Sequence, residues 1–266
     1  MLIGISISMR LRTISVRADF FMNLIQYFSM ETAADSPKIL ALIPAYNEGH
    51  RVAEVIKLTK KYLPVLVIND GSTDDTPRYA EEAGAEVIHQ IPNKGKGSAL
   101  LMGFREAIQR GYDAVIMLDA DMQHDPNEIP AFLELYKREQ PDLIIGARDF
   151  KFMPQPRRST NTFGTWVFSW AMGRHIPDNQ SGYRLLSKRM MEATLESRET
   201  SFEFEVEMIV ICEVKGYKLA HVPIRTIYGD EKSHIQPLRH IVHFFRIMYK
   251  TRRTIQQAKR AARGQS

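Results

Sequence analysis

The stretch from Asp113 to Pro126, DAVIMLDADMQHDP, holds the residues that are best suited to do chemistry. Residues 114–118 are continuously apolar, which predicts a buried strand, and Asp119, Asp121 and Gln123 follow directly after it. Open α/β sheets bind ligands at the carboxyl ends of their strands, and two carboxylates on one bend suit a hard divalent cation that holds a diphosphate. A bare Asp-x-Asp is more often a solvated acidic turn, but the strand before it and Gln123 after it favour a functional site.

The elements that position this stretch follow from apolar runs that alternate with helical periodicity. Five strands alternating with helices through short loops indicate an α/β fold of three layers, α/β/α, with a mostly parallel central sheet. Beyond Gly146 the alternation stops, and residues 154–178 are rich in Arg, aromatic and small residues. The predicted strands are 39–43, 65–68, 86–89, 114–118, 143–146, 183–186 and 218–224, and the predicted helices are 48–62, 76–83, 98–110, 126–138, 188–195 and 202–215.

Composition excludes several classes of protein. A hydrophobic content of 44% and a charged content of 25% are ordinary for a globular chain of 266 residues, and no apolar run reaches the roughly 18 residues of a spanning helix. Residues 237–266 contain eight Lys or Arg and no Asp or Glu, so the rest of the chain is net negative although the whole carries +5. This distribution argues against a nucleic-acid-binding body and predicts a local anionic partner. The single cysteine, Cys212, excludes an internal disulfide.

The chain divides into three regions. We expect residues 1–36 to be a poorly ordered extension, of which 1–29 are dispensable, and residues 37–236 to form one domain. Its first half, 37–148, follows the strand–helix alternation, and its second half, 149–236, does not. The pattern of residues 237–266 predicts a basic amphipathic helix. This helix either lies in an anionic membrane interface or packs on the core with a solvated basic face. Its apolar positions are Leu238, Ile241, Val242, Phe245 and Met248.

Six motifs in sequence order give the chain a resemblance to a known family. They are IPAYNE (43–48), VINDGSTDDT (67–76), NKGKGSA (93–99), DADMQ (119–123), GAR (146–148) and SGYR (181–184). Together they resemble the family-2 glycosyltransferases with a GT-A fold, in the branch of the dolichyl-phosphate mannose synthases and polyprenyl-phosphate glycosyltransferases. The resemblance spans residues 38–234 and implies a nucleotide-binding half at 37–148 and an acceptor half at 149–236.

The resemblance assigns the nucleotide sugar to the first loops. Asp70 would accept a hydrogen bond from the base, and Lys96, with Lys94, would border the diphosphate unless both belong to a solvated loop. Asp119, Asp121 and Gln123 would hold Mg²⁺ or Mn²⁺, which offsets charge on the leaving nucleoside diphosphate. The full set of expected nucleotide contacts is Pro44, Ala45, Tyr46, Glu48, Asp70, Lys96, Asp119 and Ala120.

The second half is expected to bind the acceptor. Arg148, Arg157 and Arg158 are candidates for a phosphate clamp, because guanidinium forks match phosphate oxygens. The resemblance adds Arg184 and Lys232 as two further cations. Asp178 resembles the family's Asp-x-x-Ser-Gly element near the reacting carbon, so the expected catalytic residues are Asp121, Asp178 and Arg148. Glu203 and Glu205 are weaker candidates that could instead complement a helix dipole. The expected acceptor-binding cations are Arg148, Arg157, Arg158, Arg184 and Lys232, with Arg225 as the alternative to Lys232.

Two acceptor chemistries remain open from the residues. A lipid monophosphate carries a charge of about −1.5 to −2 at pH 7 and needs cationic clamps more than a base, whereas a sugar hydroxyl needs a general base. The arginines and the aromatic residues 163–170 favour the lipid phosphate, and Asp178 or a glutamate would serve a hydroxyl.

The resulting expectation is a metal-dependent inverting glycosyltransferase. It would move a sugar from a UDP- or GDP-sugar to polyprenyl or dolichyl phosphate, peripherally on the cytoplasmic face of an anionic membrane and with a possible membrane partner subunit. One alternative is a family-2 enzyme with a carbohydrate hydroxyl acceptor in polysaccharide synthesis. The other is a non-catalytic nucleotide-sugar-binding protein.

Overall fold

The computed structural model describes residues 36–155, 157–196, 204–225, 248–258 and 260. By its own contacts the chain divides into a unit of residues Met1–Pro37 and a compact unit of residues Lys38–Ser266. The predicted extension 1–36 therefore lies outside the described residues, apart from Ser36. Among the described residues, no helix combines the length and hydrophobicity that a membrane crossing requires.

Strands and helices alternate through the first half of the compact unit, as the apolar runs predict. The strands are β1 Ile39–Ala45, β2 Val65–Asn69, β3 Glu86–His89, β4 Ala114–Met117, β5 Leu143–Arg148, β6 Arg184–Ser187 and β7 Leu219–Ile224. The helices are α1 Arg51–Thr59, α2 Thr76–Glu82, α3 Lys96–Gln109, α4 Ile129–Glu139, α5 Arg157–Met172, α6 Lys188–Thr194 and α7 Phe204–Val214, and residues 248–258 are helical as α8. Short 3-10 turns cover Pro126–Glu128 and Phe150–Phe152.

The seven strands form one sheet in the order β3-β2-β1-β4-β6-β5-β7. Neighbouring strands pair in parallel, for example Ile39 with Ala114, except at β6, which is antiparallel to both β4 and β5. The reversal brings the loop before β6 to the sheet edge where β4 and β5 end. The predicted mostly parallel sheet is confirmed, with this one strand reversed.

Two apolar clusters, one on each face of the sheet, make the predicted three layers. Along β1, Leu40 and Leu42 pack with α3, α5, α6 and α7, while Ile39, Ala41 and Ile43 pack with α1, α2 and α4. The alternation follows from the period-two geometry of a strand that is buried on both faces.

Helix α5 is the α-helix, among those that the structure describes, that the sequence patterns did not predict. Its buried residues Gly164, Val167, Phe168, Ala171 and Met172 recur at helical spacing. Its opposite face carries Phe163, Trp166 and Trp170, which are exposed. Because apolar residues stand on both faces, the amphipathic signal that identifies a helix is blurred.

The C-terminal helix packs on the core where it is described. Met248 and Ile255 are buried within the cluster that holds α3 and α7, while Tyr249, Lys250 and Arg253 are exposed. This part of the tail therefore packs its apolar positions on the core and exposes a basic face. Residues 237–247, with the other predicted apolar positions, lie outside the described residues.

Gly103 sets the distance between α3 and β1, so its replacement should destabilise the fold. A Cβ at this position would overlap Leu42, lying 2.6 Å from Cδ2 and 3.0 Å from Cγ, and Leu42 is fully buried. We expect Gly103→Ala to lower the free energy of unfolding by about 1–3 kcal/mol through overpacking. Gly164→Ala in α5 is the matched control, because nothing lies within 4 Å of its added Cβ. Urea unfolding of both variants tests this, and equal stability would contradict the packing argument.

Candidate active site

The loops that follow β1, β2 and β4 meet at the carboxyl edge of the sheet, where the sequence places the nucleotide. The first two loops are joined by hydrogen bonds: Asn47 N donates to Ser72 Oγ at 3.0 Å, and Thr73 N donates to Asn47 Oδ1 at 2.8 Å. Glu48 N donates to Thr76 Oγ1 at 2.8 Å. These bonds hold the two loops as one surface.

The expected nucleotide contacts of the first loop differ in accessibility. Tyr46 is exposed, and Pro44 and Glu48 are half-buried, so these three can face a ligand. Ala45 is buried in the core. Glu48 forms an ion pair with Arg51 at 3.1 Å between Oε2 and NH2. An exposed aromatic ring beside ordered backbone suits a planar base.

Asp70, the residue expected to accept a hydrogen bond from the base, is engaged by donors within the protein. Its carboxylate is buried and accepts hydrogen bonds from Lys94 N at 2.9 Å and Gly95 N at 2.8 Å, and from the Gln90 amide. Both oxygens are thus occupied by the loop that precedes α3. In this structure Asp70 holds that loop against β2.

The acidic turn after β4 presents its carboxylates with a fixed backbone. Met122 has a φ of 65°, and Gln123 N donates to Asp121 Oδ1 at 3.0 Å. Ala120 is buried, whereas Asp121 and Gln123 are half-buried at the surface. The turn therefore directs Asp121 and Gln123 outward while Ala120 anchors it.

Lys96, the first residue of α3, connects the acidic turn to α7. Its Nζ lies 2.6 Å from Asp119 Oδ1 and 3.0 Å from Glu205 Oε1. Burial disfavours the charged form of Asp119, but the Lys96 ammonium outweighs it and holds the pKa of this carboxyl at about 2. Burial likewise opposes the charge on Lys96, and the two carboxylates raise its pKa above the usual value. Asp119 and Lys96 are therefore both ionised at neutral pH.

Gly182 allows this cluster to form. A Cβ at Gly182 would lie 2.6 Å from Asp119 Oδ2 and 3.0 Å from Lys96 Nζ. The loop before β6 thus passes directly over the carboxylate and the ammonium, and a larger residue there would have to displace one of these two side chains. Gly182 belongs to the SGYR motif, but its contact with Asp119 could not be read from sequence, because it depends on the reversed β6.

Arg148 and Asp178 form a buried ion pair beside that loop. Arg148 Nε and NH2 donate to Oδ2 at 2.6 Å and Oδ1 at 3.0 Å. Gln180 N and Ser181 N also donate to Oδ1, at 3.0 Å and 3.2 Å, and Asp178 is fully buried. The Asp178 carboxylate is therefore surrounded by donors and organises the loop from 178 to 182.

Arg184 is not positioned to bind an acceptor phosphate. Its side chain is fully buried, and its guanidinium donates to the carbonyl oxygens of Ser181 at 2.8 Å, Glu205 at 2.5 Å and Asn179 at 3.1 Å. Burial lowers its pKa to about 10, which leaves it charged at neutral pH. The prediction of a phosphate contact is replaced by a structural role: Arg184 joins the start of α7 to the loop before β6.

Replacing Arg184 should therefore affect stability first. Arg184→Met leaves three buried carbonyl oxygens without their donor, and each unsatisfied group costs about 1–3 kcal/mol. We expect a loss of at least about 3 kcal/mol in the free energy of unfolding, with no rescue by Arg184→Lys, because one ammonium cannot reproduce the planar fork. Arg157→Met is the matched control, since that arginine is exposed on α5. Chemical denaturation measures the difference, and a stable Arg184→Met protein would refute it.

His124 predicts a pH dependence of stability. Its ring is buried and packs on Tyr183 with a centroid distance of 5.1 Å, and burial lowers its pKa from 6.5 to about 4. Between those values the unfolded chain binds more protons than the folded one, so stability falls as pH decreases from about 6.5 to about 4. The loss should reach up to about 3 kcal/mol. His124→Asn should flatten this part of a stability–pH profile; an unchanged slope would exclude His124 as its source.

The remaining predicted residues either lie on other elements or fall outside the described residues. Arg157 and Arg158 are exposed at the start of α5. Lys232 and Glu203 lie outside the described residues. Arg225 N donates to Glu128 Oε1 at 2.8 Å.

The donor set of the acidic turn fits a hard divalent cation. Asp119 and Asp121 offer carboxylate oxygens, and Gln123 offers an amide oxygen, which are the ligands that Mg²⁺ and Mn²⁺ prefer. Within the described residues no three His, Cys, Asp or Glu side chains form a metal-binding group. Two carboxylates held this way suit an ion that takes its remaining ligands from a diphosphate and water, as Mg²⁺ does with phosphate substrates.

A mostly parallel sheet flanked by helices, with an acidic turn at its carboxyl edge, fits the GT-A fold. Residues 41–198 match the model of Glycosyl transferase family 2, so the chain belongs to glycosyltransferase family 2 and is an enzyme of that family. The undecaprenyl-phosphate mannosyltransferase of Micrococcus luteus is 30% identical over 202 residues, 70% of this chain and 82% of the relative. The UDP-N-acetylglucosamine–dolichyl-phosphate N-acetylglucosaminyltransferase of Methanococcus voltae is 27% identical over 217 residues, 72% and 86%.

Solved structures support the GT-A fold. Glucosyl-3-phosphoglycerate synthase of Mycobacterium tuberculosis, in complex with Mn²⁺, UDP and phosphoglyceric acid, superimposes with a TM-score of 0.65. It is 19% identical, and the match covers 83% of this chain and 79% of that one. At this identity the likeness shows the fold, and the fold is the one that the six motifs predict.

Proposed function

We propose that the chain transfers a sugar from a UDP- or GDP-sugar to polyprenyl or dolichyl phosphate, with inversion at the anomeric carbon. Two relatives whose names state a polyprenyl- or dolichyl-phosphate acceptor match over 70% or more of this chain. The donor side of the proposal is supported by the joined loops at Tyr46 and Glu48 and by the acidic turn.

One observation supports the choice of acceptor: Asp178 and Glu205, the two described candidates for a general base, are each engaged by a cation. Asp178 is enclosed by Arg148 and backbone donors, and Glu205 is paired with Lys96. A carboxylate oxygen that already accepts hydrogen bonds from protein donors has fewer lone pairs with which to accept the proton of a sugar hydroxyl. A lipid phosphate is already anionic at neutral pH and attacks without a base.

The reaction that follows is a single displacement. A phosphate oxygen of the lipid forms a bond to the anomeric carbon while the bond from that carbon to the nucleoside diphosphate oxygen breaks, and the diphosphate leaves with the electron pair. Lys96 lies beside Asp119. From there its ammonium can exchange the Asp119 carboxylate for an oxygen of the departing diphosphate as its ion-pair partner. A bound Mg²⁺ or Mn²⁺, held by Asp119, Asp121 and Gln123, would supply further charge compensation. Arg148 maintains the acceptor loop, with Arg157, Arg158 and Lys232 as candidate phosphate contacts.

The proposed acceptor places the enzyme at a membrane surface. A polyprenyl chain stays in the bilayer, so the phosphate must be reached from the interface. We propose peripheral attachment on the cytoplasmic face, through the chain's own cationic surface or a membrane partner subunit.

Transfer of labelled sugar tests this function directly. Purified protein is incubated with UDP- and GDP-sugars, Mg²⁺ or Mn²⁺, and undecaprenyl or dolichyl phosphate in detergent. We expect label in an acid-labile lipid product with one of these donors. Label that enters only an added oligosaccharide would refute the lipid acceptor and return Asp178 or Glu205 to the role of base.

A further inference from the structure

Helix α5 exposes three large aromatic side chains along one face. Phe163, Trp166 and Trp170 are 52%, 67% and 52% exposed, and they stand at positions i, i+3 and i+7, so they form a ridge along the helix. The rings of Phe163 and Trp166 lie 6.3 Å apart between centroids. The opposite face of α5 is buried in the core, so the ridge takes no part in the core packing of the described residues. Exposed aromatic patches of this kind mark interaction sites.

Cations from α8 surround one end of this ridge. The Arg252 guanidinium stacks on the Trp170 ring at 4.1 Å, and its NH1 donates to the Trp170 carbonyl at 2.8 Å. Tyr249 is 62% exposed, with the Arg253 guanidinium 5.6 Å from its ring. The sequences of α5 and of residues 248–258 contain no Asp or Glu. The surface therefore combines aromatic rings with charge of one sign.

We propose that this aromatic–basic face, formed by Phe163, Trp166, Trp170, Tyr249, Arg252 and Arg253, binds the headgroup region of an anionic lipid bilayer. Trp and Tyr are the residues that favour the membrane–water interface, and Arg near anionic headgroups is attracted electrostatically. A protein partner fits less well, because the centres of protein interfaces are depleted in charge, whereas here a guanidinium covers the indole of Trp170. The purpose of the contact rests on the proposed lipid acceptor, but the contact itself needs neither donor nor acceptor.

The two tryptophans of the chain are Trp166 and Trp170, so emission excited selectively from tryptophan reports on this face alone. The full chain is mixed with vesicles of phosphatidylcholine containing about one-third phosphatidylglycerol, a composition chosen for its negative surface potential. We expect a blue shift of emission and quenching by lipids brominated near the headgroup. Raising the salt concentration should weaken binding, because the electrostatic attraction is screened. An unshifted and unquenched spectrum would overturn the proposal and leave a protein partner as the alternative.

Point variants assign the contact to this face. Trp166→Ser with Trp170→Ser should reduce vesicle flotation by at least about tenfold, because two aromatic side chains no longer enter the interface. Arg253→Gln should reduce it by about fivefold. Ile91→Ser is the matched control, since Ile91 is 76% exposed in the loop before α3. Flotation that survives the double tryptophan change would place membrane binding elsewhere, and thermal unfolding confirms that each variant is folded.

This experiment separates the inference from the proposed function. The vesicles contain no polyprenyl phosphate and no nucleotide sugar, so binding is scored whether or not transfer occurs. Deleting the tail is unsuitable as a test, because Met248 and Ile255 belong to the core and their loss would destabilise the fold.

Discussion

Asp121→Ala is expected to reduce metal-dependent sugar transfer by about a thousandfold or more. Metal stabilisation of a leaving diphosphate contributes several kcal/mol, and each 1.36 kcal/mol is a factor of about ten in rate. The side chain is half-buried at the surface of the turn, so the folded state should survive its truncation. Transfer assays at saturating Mg²⁺ or Mn²⁺, with thermal unfolding in parallel, give both quantities.

The acidic turn offers a matched control for this change. The Asp125 carboxylate caps the following 3-10 turn by accepting from Asn127 N at 2.9 Å. Asp125→Ala removes the same charge and costs about 1 kcal/mol of capping energy, yet it should keep most of the transfer rate. Mn²⁺ titration by paramagnetic resonance should show weaker binding for Asp121→Ala only. If Asp121→Ala retains turnover, Asp121 does not hold the metal.

Asp178→Asn is expected to lower both stability and transfer. The amide leaves Arg148 without its counter-charge in a buried site, and breaking one partner of a buried pair costs about 3–5 kcal/mol. It also places an NH2 group where backbone amides of Gln180 and Ser181 now donate. The loop over Asp119 should loosen, and we expect transfer to fall by about a hundredfold or more, the effect of misplacing reacting groups by about 1 Å.

A double-mutant cycle distinguishes a positioning role from a base. If Asp178 acts by holding Arg148 and the loop, Arg148→Met should cause a similar loss of transfer, and the double variant should be little worse than either single one. If the rate of transfer falls at acidic pH in the parent protein, the same fall should persist in Asp178→Asn. Additive losses, together with the disappearance of that fall in Asp178→Asn, would instead identify Asp178 as a general base.

Much of the fold follows from local pattern. Strands such as residues 65–69 and 114–117 are short apolar runs that end in polar loops, so their place in a parallel sheet could be predicted from periodicity and loop length. The direction of β6 could not be, because Arg184–Ser187 has the same pattern in either orientation. Helix α5 was missed because its exposed tryptophans obscure the buried stripe.

The site was predictable in composition and less so in arrangement. Asp119, Asp121 and Lys96 could be named as candidates from motifs. The two carboxylates follow a strand end, where a divalent cation could bind, and Lys96 begins a helix after a glycine-rich loop. The roles of Asp70 and Arg184 could not, because each depends on partners far along the chain, at Gly95 and Glu205 respectively. Burial and hydrogen bonding turn both residues toward the protein.

The reversed β6 also shapes how the enzyme could diversify. Residues 149–183 leave the sheet at β5 and return at the adjacent strand, and the Arg148–Asp178 pair closes the base of this excursion. Residues 149–183 are thus a cassette, a segment whose two ends are held by one ion pair, Arg148–Asp178. The loops expected to bind the nucleotide follow other strands. Exchanging the cassette between relatives should transplant acceptor preference and leave donor preference unchanged, provided that the ion pair and Gly182 are retained.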